Sequence, residues 1–413
     1  MKNNLEILSP AGNMEKLKTA IYFGADAVYF AGKQYGLRAF SGNFTEKEIV
    51  EAINFCHEHN VKAYITINII AHNEDFTHLA KYVKFLEKAG ADAAIVSDLG
   101  IIYFIKKYAP KLPIHVSTQA NIVNKYSAKF FTDLGVERII LARELNITEI
   151  REIRKFIPKH IALEAFVHGA MCISYSGRCL LSNYLTNRDS NRGACVQACR
   201  WEYTITEKNR TDPYEIQEDK RGTYILNSKD LNMLAHMHEL ATAGVTSFKI
   251  EGRMKSPYYV ATVTNAYHRA KLQYIQDGKR YNPSPILEKE LLKTSHRQYT
   301  TGFNFKDQFE EESECLKSST PVQTHDFIAM VIEDVKDGWV KIEQRNRFSV
   351  GYELEVLSPN DTFNKKIKIT KIKTETGEEI IDAKNVQQIL LIQTKLDLQA
   401  GDILRKNSKY VKI

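Results

Sequence analysis

The stretch Phe23-Gly-Ala-Asp-Ala-Val-Tyr-Phe-Ala-Gly32 contains the pattern that decides the fold of this chain. An amphipathic segment ends at a glycine, the usual residue after the last turn of a helix, and a short β-rich run follows directly. Joints of the same kind recur at Gly90, Gly135 and Gly244. Helices that lead repeatedly into short strands are typical of a parallel sheet with crossover helices.

Eight β-rich runs alternate with amphipathic segments over the first 276 residues. They predict strands at 5–11, 27–32, 63–69, 93–98, 113–118, 138–143, 162–169 and 247–253. Eight such units fit a (β/α)8, TIM-like barrel of roughly 250 residues. The alternative is an open doubly wound sheet, which usually begins with a glycine-rich phosphate loop. The first run here ends instead in Ser9-Pro-Ala-Gly-Asn13.

The pattern changes in two places, which predicts further units around the barrel. A cysteine-rich insertion, 171–203, follows the seventh strand. Past residue 324, short β-rich runs are joined by turns such as Asp337-Gly338, which predicts a small all-β barrel domain. We therefore expect a barrel-like catalytic domain at 1–276, a helical and loop connection at 277–324 and the small β-barrel at 325–413.

The composition is that of a soluble globular protein. The chain has 413 residues, of which 43% are apolar and 26% charged, and this excludes disordered and fibrous classes. The formal net charge of +7 permits an acidic partner such as nucleic acid without requiring one. The first residues lack the apolar run of a signal peptide, so we expect a cytoplasmic protein whose thiols stay reduced.

Polar residues stand at the predicted carboxyl ends of most strands, where β/α barrels place their active sites. Because side chains alternate along a strand, each of the last two strands should turn several polar groups to one face. The residues expected to line a common pocket are Asn68, Asp98, Gln119, Arg143, Glu164, His168, Lys249, Glu251 and Arg253. A single residue of this kind is more often a solvated rim residue, a cap or half of an ordinary ion pair, and it is their convergence at one end of the barrel that predicts a pocket.

Four of the six cysteines lie within 28 residues, namely Cys172, Cys179, Cys195 and Cys199. Four thiolates suit either a tetrahedral zinc ion or an iron–sulfur cluster. Neither pair has the CxxC spacing common in structural zinc sites, which favours a four-iron cluster and leaves zinc as the alternative. The first cysteine directly follows the seventh strand, so such a cluster would lie at the catalytic face. Cys56 and Cys315 stand apart.

The run Glu164-Ala-Phe-Val-His-Gly-Ala-Met-Cys-Ile-Ser-Tyr-Ser-Gly-Arg-Cys179 resembles the signature of the U32 peptidase-like (collagenase-like) family. The opening Leu8-Ser-Pro-Ala-Gly12 and the later Lys249-Ile-Glu-Gly-Arg253 extend the resemblance, which covers essentially the whole chain. Within the family, the chain is most similar to the members that hydroxylate tRNA.

This resemblance implies an iron–sulfur enzyme that modifies RNA. It implies a [4Fe-4S] cluster on the four clustered cysteines, prephenate as a co-substrate, and 5-hydroxylation of the wobble uridine in the anticodon loop of tRNA. Catalytic roles in base recognition or proton transfer are then expected for Asp98, Glu164, His168 and Glu251. Substrate contacts are expected for Asn68, Gln119, Arg143, Lys249 and Arg253, of which the three cations would meet phosphate or carboxylate groups.

Other functions remain open at this point. A relative of this family could be a peptidase, a hydroxylase of ribosomal RNA or of a ubiquinone precursor, or a binding module with structural zinc. His168 and Cys172 are close in sequence, as a thiol peptidase would need, but a thiolate bound to iron cannot also attack a peptide. The lysine-rich run 364–373 and the tail residues Arg405, Lys406, Lys409 and Lys412 could help to hold RNA, or could be a solvated edge strand.

Overall fold

The structure, a computed structural model, describes residues 5–37, 42–172, 174–201, 218–219, 222–223, 229–305 and 322–408. Cys315 lies outside these residues. The helices are α1 (Met14–Tyr22), α2 (Glu46–Glu58), α3 (Phe76–Ala89), α4 (Leu99–Tyr108), α5 (Lys125–Asp133), α6 (Ile147–Phe156), α7 (Leu181–Thr186), α8 (Met237–Ala243), α9 (Pro257–Asp277) and α10 (Pro285–Leu291).

The first twelve strands in chain order include the barrel. They are β1 (Glu6–Pro10), β2 (Ala27–Phe30), β3 (Lys62–Ile67), β4 (Ala93–Val96), β5 (Ile114–Val116), β6 (Arg138–Ile140), β7 (Ala162–Ala170), β8 (Glu218–Asp219), β9 (Gly222–Thr223), β10 (Asp230–Asn232), β11 (Ser247–Ile250) and β12 (Tyr299–Thr300). The strands that follow are β13 (His325–Lys336), β14 (Trp339–Gln344), β15 (Phe348–Ser349), β16 (Glu353–Leu357), β17 (Lys366–Lys368), β18 (Ile372–Thr374), β19 (Glu379–Ile380), β20 (Asp382–Ala383), β21 (Ile389–Gln393) and β22 (Ile403–Asn407).

Eight parallel strands close into the barrel that the sequence predicts. Strands β1 to β7 are neighbours in order, and β11 pairs in parallel with both β1 and β7. The apolar stripes of the surrounding helices bury the outer faces of the strands in one large core. Helix α3 ends at Gly90, whose φ of 83° is left-handed, so the glycine stop inferred from the sequence is present in the structure.

The seventh strand departs from a regular barrel strand in two ways. It has nine residues and extends beyond the barrel, where Ala170 is the antiparallel partner of Asp230 in β10. The register between β7 and β11 also shifts, because Lys249 pairs with Phe166 whereas the next residue, Ile250, pairs with His168. This β-bulge at residue 167 breaks the side-chain alternation on which the prediction for His168 depends.

The second domain is all-β, as predicted. Eight strands form one antiparallel half-barrel sheet in the order β17-β16-β22-β13-β14-β21-β18-β19, around a core of its own. The domain packs against the barrel through the buried side chain of Arg405, which forms ion pairs with Glu290 of α10 and Glu355 of β16. A guanidinium held in this way cannot contact RNA, so the expectation for Arg405 is wrong.

The lysine-rich run contributes the edge strand β17 and the start of β18, which lies between β21 and β19, and two of its lysines form ion pairs. Strand β17 lies at one end of the sheet, and Nζ of Lys366 lies 2.7 Å from Glu353 Oε1. Lys373 Nζ lies 3.9 Å from Glu379 Oε1 and over the ring of Trp339. Lysines on an exposed edge discourage pairing with another chain, which accounts for this strand without RNA. Lys409 and Lys412 lie outside the described residues.

Within the parts of the chain that the structure describes, no helix combines the length and apolar character needed to span a membrane.

Candidate active site

Charged side chains form a buried network at the start of the barrel strands. Nη1 of Arg138 donates to Glu6 Oε1 at 2.6 Å and to Glu164 Oε2 at 2.8 Å. Nζ of Lys249 donates to Glu164 Oε1, also at 2.8 Å. Glu164 is fully buried and Lys249 nearly so, so each carboxylate and cation depends on its partners for charge compensation. We call Glu6, Arg138, Glu164 and Lys249 the floor network.

The pKa values in the floor network follow from burial and pairing. Burial alone would raise the pKa of Glu6, but the positive charge of Arg138 lowers it below its usual value. Burial lowers the pKa of Lys249, and the carboxylate of Glu164 opposes that shift. Glu6 and Arg138 were not predicted from the sequence as site residues. A charged first residue on two separate barrel strands is the signal that could have identified them.

Above the floor network, a cavity of about 70 Å³ opens at the carboxyl ends of the strands. Six of the nine predicted pocket residues line it: Asn68, Gln119, Arg143, Lys249, Glu251 and Arg253. We call this cavity the barrel mouth. Because the strand ends of a β/α barrel meet at this face, residues far apart in sequence come together here.

Three cations surround the barrel mouth, each fixed by a neighbour. Nη1 of Arg143 donates to the carbonyl of Ala170 at 2.7 Å, and its guanidinium stacks 4.0 Å from the ring centroid of Phe166. Nη1 of Arg253 donates to Thr66 Oγ1 at 3.2 Å. Lys249 links the mouth to the floor network through Glu164. Three oriented cations in one small cavity suit an anionic group such as a carboxylate or phosphate.

Glu164 and Asp98 do not line the mouth. Glu164 lies below it, bound by Arg138 and Lys249. Asp98 is the N-cap of α4, where its Oδ1 accepts a hydrogen bond from the backbone N–H of Ile101 at 3.1 Å. The structure therefore gives Asp98 a local role at a helix end.

His168 points out of the barrel, contrary to the alternation pattern, because of the bulge in β7. Its ring packs against Tyr259, Tyr267 and Tyr299, with centroids 6.2, 5.5 and 5.3 Å away. Burial lowers the pKa of His168 to about 3, although Asp230 nearby opposes the shift. A neutral, enclosed imidazole outside both cavities of the site is a packing residue, so its expected place in the pocket is wrong.

All four clustered cysteines line a second, larger cavity of about 180 Å³, which we call the thiol cavity. It shares four lining residues with the barrel mouth: Thr118, Gln119, Arg143 and Glu251. The five cysteines within the described residues are all reduced. The insertion therefore places its thiols directly beside the mouth, as the position of Cys172 after the seventh strand led us to expect.

The surroundings of Cys179 favour the thiolate, the form that binds metals. Burial would raise the pKa of Cys179, but hydrogen bonds from Ser174, Ser190 and backbone N–H groups lower it below its usual value. The backbone N–H of Gln197 donates to Cys195 Sγ at 3.4 Å. These donors act locally, since the residues concerned belong to the same insertion.

The donor set suits a polynuclear group better than a single ion. Among the residues described, no three Cys, His, Asp or Glu side chains stand close enough to hold one metal ion. Four thiols spread around one cavity of about 180 Å³ fit an iron–sulfur cluster, whose sulfur ligands lie farther apart than those of zinc. Soft thiolate donors suit zinc as well as iron–sulfur clusters.

Two polar tethers hold the insertion over the barrel. The guanidinium of Arg192 donates to both carboxylate oxygens of Asp75, at 2.6 and 3.1 Å, in front of α3. On the other side, the backbone N–H of Ser176 donates to Glu144 Oε1 at 2.9 Å. Gly177 lies against the barrel so closely that a Cβ there would stand 2.2 Å from the carbonyl oxygen of Gln119. These contacts join residues far apart in the chain and could not be predicted from local sequence patterns.

Comparison with known families identifies both parts of the chain. The model described as "Peptidase family U32" matches residues 12–314, and that described as "Peptidase family U32 C-terminal domain" matches residues 323–405. Together they cover the barrel, the insertion and the half-barrel domain.

Three curated relatives show the range of names among similar proteins. "tRNA hydroxylation protein P1" of Bacillus subtilis is 37% identical over 97% of this chain and 94% of its own length. "23S rRNA 5-hydroxycytidine C2501 synthase" of Escherichia coli is 39% identical over 66% of this chain and 40% of its own length. "Collagenase" of Porphyromonas gingivalis is 36% identical over 65% of this chain and 66% of its own.

Proposed function

The chain belongs to peptidase family U32, and from that membership we propose that it is an RNA hydroxylase that acts on tRNA. In its finer form, the proposal is prephenate-dependent 5-hydroxylation of the wobble uridine by an iron–sulfur enzyme. Similarity to a tRNA hydroxylation protein over 97% of the chain supports the tRNA part. The observation that carries the rest is the common wall of the thiol cavity and the barrel mouth.

The thiol cavity is the proposed site of a [4Fe-4S] cluster. The four cysteines Cys172, Cys179, Cys195 and Cys199 would hold it, and the hydrogen bonds to Cys179 lower the pKa of that thiol. When bound, such a cluster supplies one-electron chemistry next to the substrate.

The barrel mouth is the proposed site of the reacting nucleotide and of an anionic co-substrate. A uridine must leave its stack to expose C5, which is inexpensive in an anticodon loop because the loop is already single-stranded. The amides of Asn68 and Gln119 provide groups for the uracil edge. Arg143, Lys249 and Arg253 would bind phosphate or the carboxylates of prephenate.

Proton transfer is assigned to Glu251, the carboxylate that lines both cavities. Glu164 is a positioning residue in this scheme, because it holds the ammonium group of Lys249 at 2.8 Å. Asp98 and His168 keep the structural roles described above. The catalytic set expected from the sequence is thereby reduced to one carboxylate.

A peptidase is the second candidate, since the family and one relative carry that name. A thiol peptidase needs an imidazole base beside its cysteine. His168 packs against the tyrosines of α9 and β12, and no histidine is among the described residues that line the thiol cavity. The geometry therefore favours RNA hydroxylation over thiol-dependent peptide cleavage.

The proposal is tested by mass spectrometry of nucleosides from a strain that lacks this protein. We expect 5-hydroxyuridine and its derivatives to disappear from tRNA and to return with the wild-type gene but not with the variant Cys179→Ser. A parallel strain that cannot make prephenate should show the same loss. Normal tRNA with a missing hydroxylated nucleoside in rRNA would contradict the tRNA assignment, and intact nucleosides in both would contradict RNA hydroxylation.

A further inference from the structure

The insertion carries an exposed aromatic surface that the proposed chemistry does not use. It holds fewer than one in ten of the described residues but five of their eighteen exposed large apolar side chains. These are Tyr175, Leu180, Tyr184, Leu185 and Trp201. Tyr184 is 86% exposed and Tyr175 is 59% exposed. Apolar rings concentrated on one small segment mark a binding surface.

One of the three aromatic rings lines the thiol cavity, and the other two belong to neighbouring turns of the insertion. Tyr175 itself lines the cavity while remaining largely exposed. Leu181, one helical turn before Tyr184 on α7, also lines it. Trp201 directly follows a 3-10 turn that packs against α7. A ligand that enters the cavity or the adjoining barrel mouth would therefore pass these rings.

The charge of the insertion indicates the kind of ligand. Residues 171–201 contain four arginines, Arg178, Arg188, Arg192 and Arg200, and a single acidic residue, Asp189. The side chains of Arg178 and Arg188 are exposed. Aromatic rings interspersed with arginines are the chemistry by which proteins hold unpaired nucleic acid, with bases on the rings and phosphates on the cations.

We infer that Tyr175, Tyr184 and Trp201 form a stacking surface for unpaired RNA bases that flank the nucleotide in the barrel mouth. This inference rests on the proposed function and deepens it, since it assigns RNA recognition to the insertion instead of the half-barrel domain. The ion pair of Lys366 in β17 and the burial of Arg405 make the half-barrel domain the weaker candidate.

The test is RNA binding by the full-length protein, measured by fluorescence anisotropy with a labelled, unmodified anticodon stem-loop. Tyr184→Ala should raise the Kd roughly tenfold, because stacking of one base on one ring is of that size. Tyr184→Phe should bind like the wild type, since it keeps the ring, whereas Tyr184→Leu should bind like the alanine variant. Trp201→Ala should weaken binding to a similar degree.

The matched control is Tyr103→Ala. Tyr103 is 60% exposed in the middle of α4, on the outside of the barrel, and should not affect RNA affinity. A thermal unfolding curve for each variant checks that the insertion and barrel remain folded. A fully paired RNA duplex of the same length should bind more weakly than the stem-loop and should respond little to Tyr184→Ala.

The outcomes separate this inference from the proposed function. If Tyr184→Ala and Trp201→Ala bind the stem-loop with the same Kd as the wild type, the stacking surface is overturned and the proposed function still stands. A wild-type oligomer that dissociates in Tyr184→Ala, without a change in RNA affinity, would assign the rings to a second copy of the chain and overturn it as well. Wild-type protein that binds neither stem-loop nor duplex contradicts RNA as the substrate and the stacking surface together.

Discussion

The floor network and the insertion form the site by opposite means. In the floor network, each charged group is buried and meets its partners across the barrel, such as Arg138 between Glu6 and Glu164. The insertion has exposed side chains, short helical turns and two polar tethers to the barrel. The comparison shows that the floor network is fixed by the barrel fold, whereas the position of the insertion depends on a few contacts with the barrel. Four predictions test that division.

The largest effect is expected from removing one clustered thiol. Cys179→Ser should abolish iron binding, the brown thiolate-to-iron absorbance and uridine hydroxylation, because a four-iron cluster needs all of its ligands. The barrel should remain folded, since its core does not include Cys179. Iron analysis, absorption spectra and thermal unfolding measure these results. Cys56→Ala is the control. Cys56 is a buried residue of α2, so this variant should retain iron. A full iron complement in Cys179→Ser would show that another residue is the ligand.

Removal of the central cation of the floor network should destabilise the barrel strongly. Arg138→Ala removes the cation paired with the Glu6 carboxylate and leaves Glu164 with Lys249 alone, which should cost about 3–5 kcal/mol of unfolding free energy. Urea denaturation measures this difference. Lys129→Ala, which removes an exposed pair with Asp133, should cost less than about 0.5 kcal/mol. Equal losses of unfolding free energy in the two variants would mean that the buried ion pairs of the floor network stabilise the fold no more than an exposed pair does.

His168 lies at the boundary of the two regions and should make the barrel sensitive to acid. Burial holds its folded pKa at about 3, against 6.5 when unfolded, so the unfolded state binds the extra proton between these values. Its stabilising effect is complete above pH 6.5 and is lost as the pH falls towards 3. From pH 7 to pH 5, the wild type should lose about 2 kcal/mol more unfolding free energy than His168→Gln. If the unfolding free energies of the two proteins fall equally between pH 7 and pH 5, His168 is in contact with water in the folded protein.

The smallest global effect is expected from the tether at Arg192. Because the Arg192–Asp75 pair is partly solvated, Arg192→Ala should lower the unfolding free energy by less than about 1 kcal/mol. Locally, amide exchange in residues 174–201 should speed up roughly tenfold, while exchange in β1 stays unchanged. Hydrogen-exchange mass spectrometry measures both, with Lys47→Ala on α2 as a control. Unchanged exchange in the insertion would show that its other contacts suffice.

The sequence predicts the barrel well because strand and helix periodicity are local signals. All eight strands lie within the predicted runs or one residue outside them, and the helix stop at Gly90 has the left-handed conformation expected of it. Six of nine pocket residues converge on the barrel mouth, since position at a strand end already determines where a side chain lies. The all-β domain was recognisable from its short strands and turns.

What the sequence could not predict depends on register and on long-range partners. One bulge turned His168 from the pocket towards α9, and such a shift leaves no mark in the pattern of residues. Asp98 stands between a strand and a helix. In the structure its side chain caps helix α4 and does not line the pocket. The partners Glu6 and Arg138 are 132 residues apart in the chain, so only the closed barrel brings them together.

The extension of β7 determines how the insertion is joined to the barrel. The chain leaves the barrel at Ala170 and re-enters it at Asp230, and these residues are direct antiparallel partners. A two-residue hairpin could join them, so the entire intervening segment could be deleted or exchanged at little cost in loop-closure entropy. No described residue between these two partners lines the barrel mouth, so the mouth is built entirely from the barrel and its own loops.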